Sequence, residues 1–198
     1  MGNIRLCHET DLPYMYEICL LTGAAGEDTS GLLSDRFIIG QYFAAPYIYY
    51  EKDVCFVLEE NNIPAGYVIG ASDTFSFNRW LNSFWLPQLR RYYPPTIYTK
   101  SGLEKWLVDA INKDIDDNGL EDQYPAHLHI DILPSYQGKG YGKMMIDRFV
   151  DRCKEKGCRG IHFGVDKRNE KAIGFYKKIG MKVLLETTGA VFMGIKLL

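Results

Sequence analysis

Gln137-Gly138-Lys139-Gly140-Tyr141-Gly142 places alternate glycines at the junction between a strand-like run and a helix-like run. A turn of this kind leaves main-chain N–H groups without partners at the positive end of a helix dipole, which is a site for an anion. Glycine suits the position because a Cβ would hold a phosphate away from the backbone. Lys139 and Lys143 stand ready to add charge. The ATP-type loop requires GxxxxGK followed by Ser or Thr, whereas Lys143 is followed by Met144 after the wrong glycine spacing. The dinucleotide fingerprint GxGxxG also fails, since GKGYG has no suitable continuation. The spacing that remains is Q-x-x-G-x-G.

Just upstream, His127, His129 and Asp131 alternate along one strand and so share a face, opposite Leu128, Ile130 and Ile132. Asp131 or His129 could take a proton from a substrate, and Asp131 could equally anchor a cationic amine. A structural Asp–His network is the other reading of the same residues, because buried polar groups pair. Three ligands on one strand crowd a tetrahedron, so no metal is expected. Asp73, after the preceding strand, is a further candidate substrate contact.

These groups need a scaffold, and the pattern supplies one. Asn3 to Cys7 alternates as a short strand, and Thr10-Asp11 before Pro13 opens a helix that Thr22-Gly23 ends. Residues 23–31 read as a loop that could border a site, and Asp35 to Ala44 as a short helix. Val54 to Glu59 and Ala65 to Ala71 form a hairpin across residues 60–64. Two helices, about Phe77 to Arg91 and Leu103 to Asp117, make an insertion-like unit over about 74–124. Its aromatics at helical spacing, among them Phe77, Leu81, Phe84 and Trp85, suit a buried face or a substrate lid. The last third alternates strand (126–133), helix (141–156), strand (161–165), helix (from Asn169 to Ile179) and two closing strands, 182–185 and 190–198.

A chain of 198 residues with 46% apolar composition builds one ordinary core, so residues 1–198 are read as a single domain. A net charge of −2 gives no basic field for nucleic acid or anionic lipid, and any anion must be held locally. No apolar run is long enough to span a bilayer and no secretory leader is visible, so a cytoplasmic location is expected, with no nucleic-acid or membrane partner. The five scattered cysteines are expected to be reduced and mostly packed as small apolar groups.

Ile132-Leu133-Pro134 followed by Gln137 to Gly142, with Asn169, Ala172, Phe175 and Tyr176 downstream, resembles the GNAT superfamily of acyl-CoA-dependent acetyltransferases. That signature is [RQ]-x-x-G-x-[GA] after a strand ending in V-x-P, then N-x-x-A-x-x-F-Y. The stretches TGAAGEDTSG, AAPYI, GYVIGASDT and AHLHIDILPSYQGKGYG further resemble bacterial relatives of the acetyltransferase-like C-terminal domain of O-GlcNAcase.

The resemblance implies an α/β GNAT fold, a central mixed, mostly antiparallel sheet flanked by helices, with the helical insertion before the cofactor-binding strand. It implies acetyl-CoA as co-substrate and direct acetyl transfer to an amine acceptor, a small molecule or a peptide, in a ternary complex. By the same resemblance, backbone at Ile132 and Leu133 runs beside the pantetheine arm and offers an N–H to the thioester oxygen, and Gly138 to Lys143 hold the pyrophosphate. Asn169 matches the pantetheine-contacting residue and Tyr176 the general acid, with a core aromatic as the other reading of Tyr176. The alternative function is a catalytically silent acyl-CoA-binding or interaction module with the same fold. Whether the chain acts as a monomer or a homodimer is left open.

Overall fold

A computed structural model describes residues 2–96 and 101–197. Residues 97–100 of the insertion and Leu198 of the last expected strand lie outside them. Seven strands form one open sheet: β1 Asn3–Leu6, β2 Phe56–Glu60, β3 Ile63–Ala71, β4 Ala126–Ile132, β5 Gly160–Asp166, β6 Lys182–Glu186 and β7 Ala190–Lys196. Their order is β1-β2-β3-β4-β5-β7-β6, and every neighbouring pair is antiparallel except β4 with β5. The mixed, mostly antiparallel sheet expected from the sequence is therefore present.

The helices are α1 Leu12–Thr22, α2 Ile38–Phe43, α3 Ala45–Glu51, α4 Thr74–Trp80, α5 Leu86–Tyr92, α6 Leu103–Ile111, α7 Tyr141–Glu155 and α8 Glu170–Lys178. β3 is buried on both sides, which is why its sequence reads as a continuous apolar run. A Cβ on Gly70 would point at the ring of Phe149, so the even residues of β3 face α7. Tyr67 and Ile69 turn the other way, onto the side where α1 and α3 cover the strand. Register then fixes β4: His127 pairs with Ala71, His129 with Ile69 and Asp131 with Tyr67, so all three polar residues share the α1 and α3 side. The register from β4 to β5 puts His162 on that side too.

Several boundaries differ from the sequence expectation, each for a local reason. The hairpin turn is only Asn61-Asn62, both at positive φ (54° and 63°), a two-residue turn whose twist matches the strands; β3 accordingly begins at Ile63 rather than Ala65. The expected helix over Asp35 to Ala44 is shorter, and a further helix, α3, follows directly with Pro46 in its first turn. The helix expected over Phe77 to Arg91 divides into α4 and α5 around a π-helical segment, Leu81–Trp85. Pro87 has no N–H to donate four residues back and its ring crowds that carbonyl, which a one-residue widening of the helix relieves. The helix expected to reach Asp117 stops at Ile111, where the Asn112 carboxamide donates to Val108 O and Tyr93 O, both at 2.8 Å.

All five cysteines are free and buried, as small apolar core groups would be. Among the described residues no helix is long and apolar enough to cross a membrane. The fit at Gly70 leaves no room for a side chain: an added Cβ would lie 2.0 Å from His127 O on the neighbouring strand and 2.6 Å from Phe149 Cζ of α7. Gly70→Val is therefore expected to cost about 3 kcal/mol or more, read as a lowered urea midpoint; an unchanged midpoint contradicts this packing.

Candidate active site

The glycine turn sits at the foot of β4. Gly138 (φ 74°) and Gly140 (φ 86°, the N-cap of α7) both occupy the left-handed region that disfavours side chains. An added Cβ at either would meet nothing within 4 Å, so the space outside the turn is open and internal packing does not require these glycines. None of the six amides from Gly138 to Lys143 has an acceptor among the described residues; Met144 N is the next to find one, Gly140 O at 3.3 Å. Six outward donors at the start of a 15-residue helix form an anion cradle that fits a diphosphate. Gly142 has a different task, because its Cβ would lie 3.2 Å from Phe175 Cζ: it lets α8 approach α7.

The side chains around the turn are partly committed. Tyr141 points inward, its hydroxyl accepting from Gly2 N at 2.8 Å, so only its backbone faces the cradle. Lys143 reaches Asp147 at 2.5 Å and Lys139 lies 5.2 Å from the centre of the Tyr136 ring. Gln137 donates to Ile132 O (2.9 Å) and accepts from Lys171 Nζ (2.9 Å), which fixes the turn against β4.

Above the cradle the sheet opens. β4 and β5 pair only at Ala126 with Ile161 and His127 with His162, then part. Leu133 N–H, expected to face a ligand, instead donates to Ala65 O at 2.9 Å. In an antiparallel ladder alternate residues turn their polar groups to the same neighbour, so Asp131 follows Leu133 toward β3 while Ile130 and Ile132 direct their N–H groups into the gap. Of the two backbone positions expected from sequence, Leu133 N–H is engaged by Ala65, while that of Ile132, with Ile130, faces the gap.

Asp131 and His129 meet at one edge of this gap. Asp131 Oδ2 accepts from the Tyr67 hydroxyl at 2.6 Å. His129 Nε2 is 3.0 Å from the same oxygen, but off the direction a ring N–H requires, so the buried nitrogen has the proximity of an ion pair and no hydrogen bond. The His129 ring lies nearly parallel to Phe43, 5.6 Å between centres. Cys19 joins from α1; its donor atom and those of His129 and Asp131 lie within 4.8 Å of one another. Such a trio could chemically bind a metal ion. Burial raises the Cys19 thiol, with the Asp131 charge adding to it, which opposes the thiolate a metal would need.

His127 behaves differently. Thr74 Oγ1 donates to Pro125 O at 2.7 Å, so it can only accept at 2.8 Å from His127 Nδ1. That assigns the proton to Nδ1, leaving Nε2 to accept from the Tyr47 hydroxyl at 3.1 Å. Burial pulls this imidazole down from 6.5 to about 3, and the neighbouring His162 and His129 add to the effect. His127 is thus held neutral in a network with Thr74 and Tyr47, which contains no aspartate. Asp73 likewise acts locally: its carboxylate accepts from Ser76 N at 2.8 Å as the N-cap of α4.

Tyr176 approaches from the opposite side of the sheet. It lies on α8 against Phe163 (4.5 Å between ring centres) and Phe175 (5.2 Å). Burial pushes its hydroxyl up, and Asp131 is near enough to add to that shift. Asn169 caps α8, its Oδ1 accepting from Ala172 N at 3.0 Å. A Cβ on Gly26 would lie 3.5 Å from Asn169 Nδ2, so the loop after α1 comes close to the cap of α8. At the head of the gap, above the last paired residues, is a cavity of about 390 Å³ whose lining includes His127, His129, His162 and residues of the insertion. Sequence reading did not find Tyr67, Cys19, Tyr47 or Thr74, which sit in ordinary apolar or turn contexts and join the site only through strand register and helix packing.

A mostly antiparallel sheet that parts beside one parallel pair, with an amide cradle below the gap, defines a class of protein, and comparison with known sequences agrees. Residues 100–181 match the Acetyltransferase (GNAT) family. Over that stretch, about two fifths of the chain, the sequence is similar to GNAT acetyltransferases. The rat (Rattus norvegicus) protein O-GlcNAcase is 24% identical over 188 residues, 90% of this chain and 20% of that protein, so the chain spans about a fifth of that relative. The crystal structure of SsHAT superposes with a TM-score of 0.92 at 28% identity, covering 100% of this chain and 98% of that one. A PaiA N-acetyltransferase from Thermoplasma acidophilum, solved in complex with coenzyme A, shares the fold at a TM-score of 0.58 and 15% identity, with 99% of each chain covered.

Two outcomes follow from this geometry. Because His127 binds its proton far more weakly when folded than its ordinary 6.5, its contribution to stability is complete above pH 6.5 and is lost as pH falls toward 3. Urea unfolding at stepped pH should show stability falling across that window, and His127→Gln should flatten the fall by an amount on the order of 2–4 kcal/mol; parallel curves for the two proteins would refute the neutral assignment. Gly140→Val, besides straining φ by about 1–2 kcal/mol, should weaken coenzyme A binding by at least about 10-fold in calorimetry.

Proposed function

We propose that this chain is an acetyl-CoA-dependent N-acetyltransferase that moves the acetyl group directly to an amine within a ternary complex. The observation that carries the reading is the run of six unpaired amides from Gly138 to Lys143 directly below the parting of β4 and β5. Anion cradle and gap share one line, so a ligand held by its diphosphate at the turn has an extended slot for its remaining length. The neighbouring fold solved with coenzyme A supports the same ligand.

Bound acetyl-CoA supplies a thioester whose carbonyl carbon an amine can attack. The protein's own groups account for the rest. The cradle amides hold the diphosphate, with Lys139 and Lys143 at its border. Ile130 and Ile132 N–H groups line the slot and can donate to the carbonyl oxygen as it gains charge. Asp131, with His129 beside it, takes the proton of the attacking amine, and Tyr67 holds the carboxylate in place by its 2.6 Å hydrogen bond. Tyr176 delivers a proton to the departing sulfur; burial keeps its hydroxyl protonated until the thiolate develops beside it. Asn169 steadies the start of α8 and keeps its Nδ2 for the ligand. Base and acid thus reach the reacting carbon from opposite faces of the sheet.

Tyr176→Phe should lower kcat by at least about 10-fold, within the usual range for a proton-transfer group, while the dissociation constant of acetyl-CoA stays within about 2-fold. Thiol release and calorimetry read the two quantities separately. Equal losses in both would assign Tyr176 to packing, and binding without thiol release from any amine would make the domain a silent acyl-CoA-binding module.

A further inference from the structure

The cavity at the head of the gap selects its occupant by chemistry. Its volume, about 390 Å³, is in the range that encloses a small molecule. Most of its wall is aromatic or aliphatic: Phe43, Tyr47, Phe77 and Leu81 from the helices, with Phe163 and Phe192 from the strands. Among the described residues no lysine or arginine lines it.

The polar groups within it are largely committed: Asn78 donates to Asp117 at 3.0 Å and Asn118 accepts from Leu120 N at 3.0 Å. His127 is held neutral between Thr74 and Tyr47, and His162 donates to Tyr124 O at 2.7 Å. His129, beside Asp131, carries the ring nitrogen that lacks a hydrogen bond.

The mouth has the opposite character. Residues 114–122 carry Asp114, Asp116, Asp117, Glu121 and Asp122 with no lysine or arginine among them, and Asp116 and Glu121 line the cavity itself. Arg90 answers Asp114 at 2.6 Å and Lys113 answers Asp116 at 3.5 Å. Glu121 has no cationic side chain paired with it among the described residues, and its charge reaches inward to raise His162 against the lowering effect of burial.

An acidic mouth, an aromatic barrel and a single proton-accepting corner describe a ligand that is cationic at one end and apolar over the rest. We infer that the acceptor is a small aromatic monoamine, an arylalkylamine in chemical class; this rests on the acetyltransferase reading above. The ammonium is drawn in by the carboxylates and passes aromatic faces that favour a cation. Its ring then packs against Phe43, Tyr47 and Phe77 while nitrogen reaches His129 and Asp131. There the ammonium first releases one proton to solvent, the neutral nitrogen attacks the thioester carbon and passes its second proton to Asp131, and the carbon–sulfur bond breaks as Tyr176 protonates the departing thiolate to coenzyme A thiol. An amino sugar would strip several hydroxyls of water against a wall with few free partners, each lost hydrogen bond costing affinity.

The test follows thiol release from acetyl-CoA with 2-phenylethylamine, glucosamine and a lysine-containing peptide. The expected result is a kcat/KM for 2-phenylethylamine at least about 10-fold above either of the others. Glu121→Gln, a change at a half-buried residue of the mouth, should raise the KM for 2-phenylethylamine about 3-fold at low salt and less at high salt, with the KM for acetyl-CoA unmoved. Thiol release that is as fast with glucosamine or the peptide overturns the acceptor class and leaves the acetyltransferase reading standing. An amine KM that Glu121→Gln does not move at low salt overturns the steering by the mouth. No thiol release with any of the three overturns the acetyltransferase reading and this inference with it.

Discussion

The parting of β4 from β5 after two paired residues is the constraint around which the molecule is arranged. A sheet cannot leave strand edges unpaired in its interior without cost, since each buried N–H or C=O needs a partner. Here the cost is borne at Ile130 and Ile132, and it is tolerable because the gap is open to a ligand that can satisfy them. The antiparallel pairs on either side hold the two halves in register, so the gap has a fixed width and direction. α7 lies across β2, β3 and β4, and its N-terminus brings the amide cradle to the foot of the same gap.

Burial then divides the polar residues by duty. His127 is deep, neutral and bonded at both nitrogens, and it serves as scaffold. His129, two residues along the same strand, is partly open, with a nitrogen left without a hydrogen bond beside Asp131. Two histidines of identical intrinsic chemistry thus differ because α3 and α4 cover one end of the strand more closely than the other. Tyr67 belongs to the scaffold as well, since its hydroxyl fixes Asp131 without facing the gap.

Much of this was legible from the chain alone. The glycine turn, the shared face of His127, His129 and Asp131, and the cap at Asn169 are local patterns, set by residues within a few positions of each other. What was not legible depended on distant partners. Leu133 looked as available as Ile132 until strand pairing assigned its N–H to Ala65. Asp73 reads from sequence as a substrate contact because a carboxylate after a strand does not announce whether a helix follows; its bond from Ser76 N shows that it caps α4. The first helix of the insertion, Phe77 to Arg91, read as continuous because its aromatic spacing is helical throughout, and only Pro87 marks the place where the ladder slips. Tyr47 and Thr74 are separated from His127 by 80 and 53 positions, which no reading of period or spacing brings together.

The chain of hydrogen bonds through Thr74 and His127 has a direction. A carbonyl oxygen, Pro125 O, closes one end and can only accept, so every proton upstream is spent toward it: Thr74 gives to Pro125, His127 to Thr74, and Tyr47 to His127. The Tyr47 oxygen is left with lone pairs alone. A group arriving beside it is met by an acceptor that cannot rotate into a donor, so the wall favours visitors bearing N–H bonds over those offering oxygens, a bias built in by a proline carbonyl at the far end of the relay.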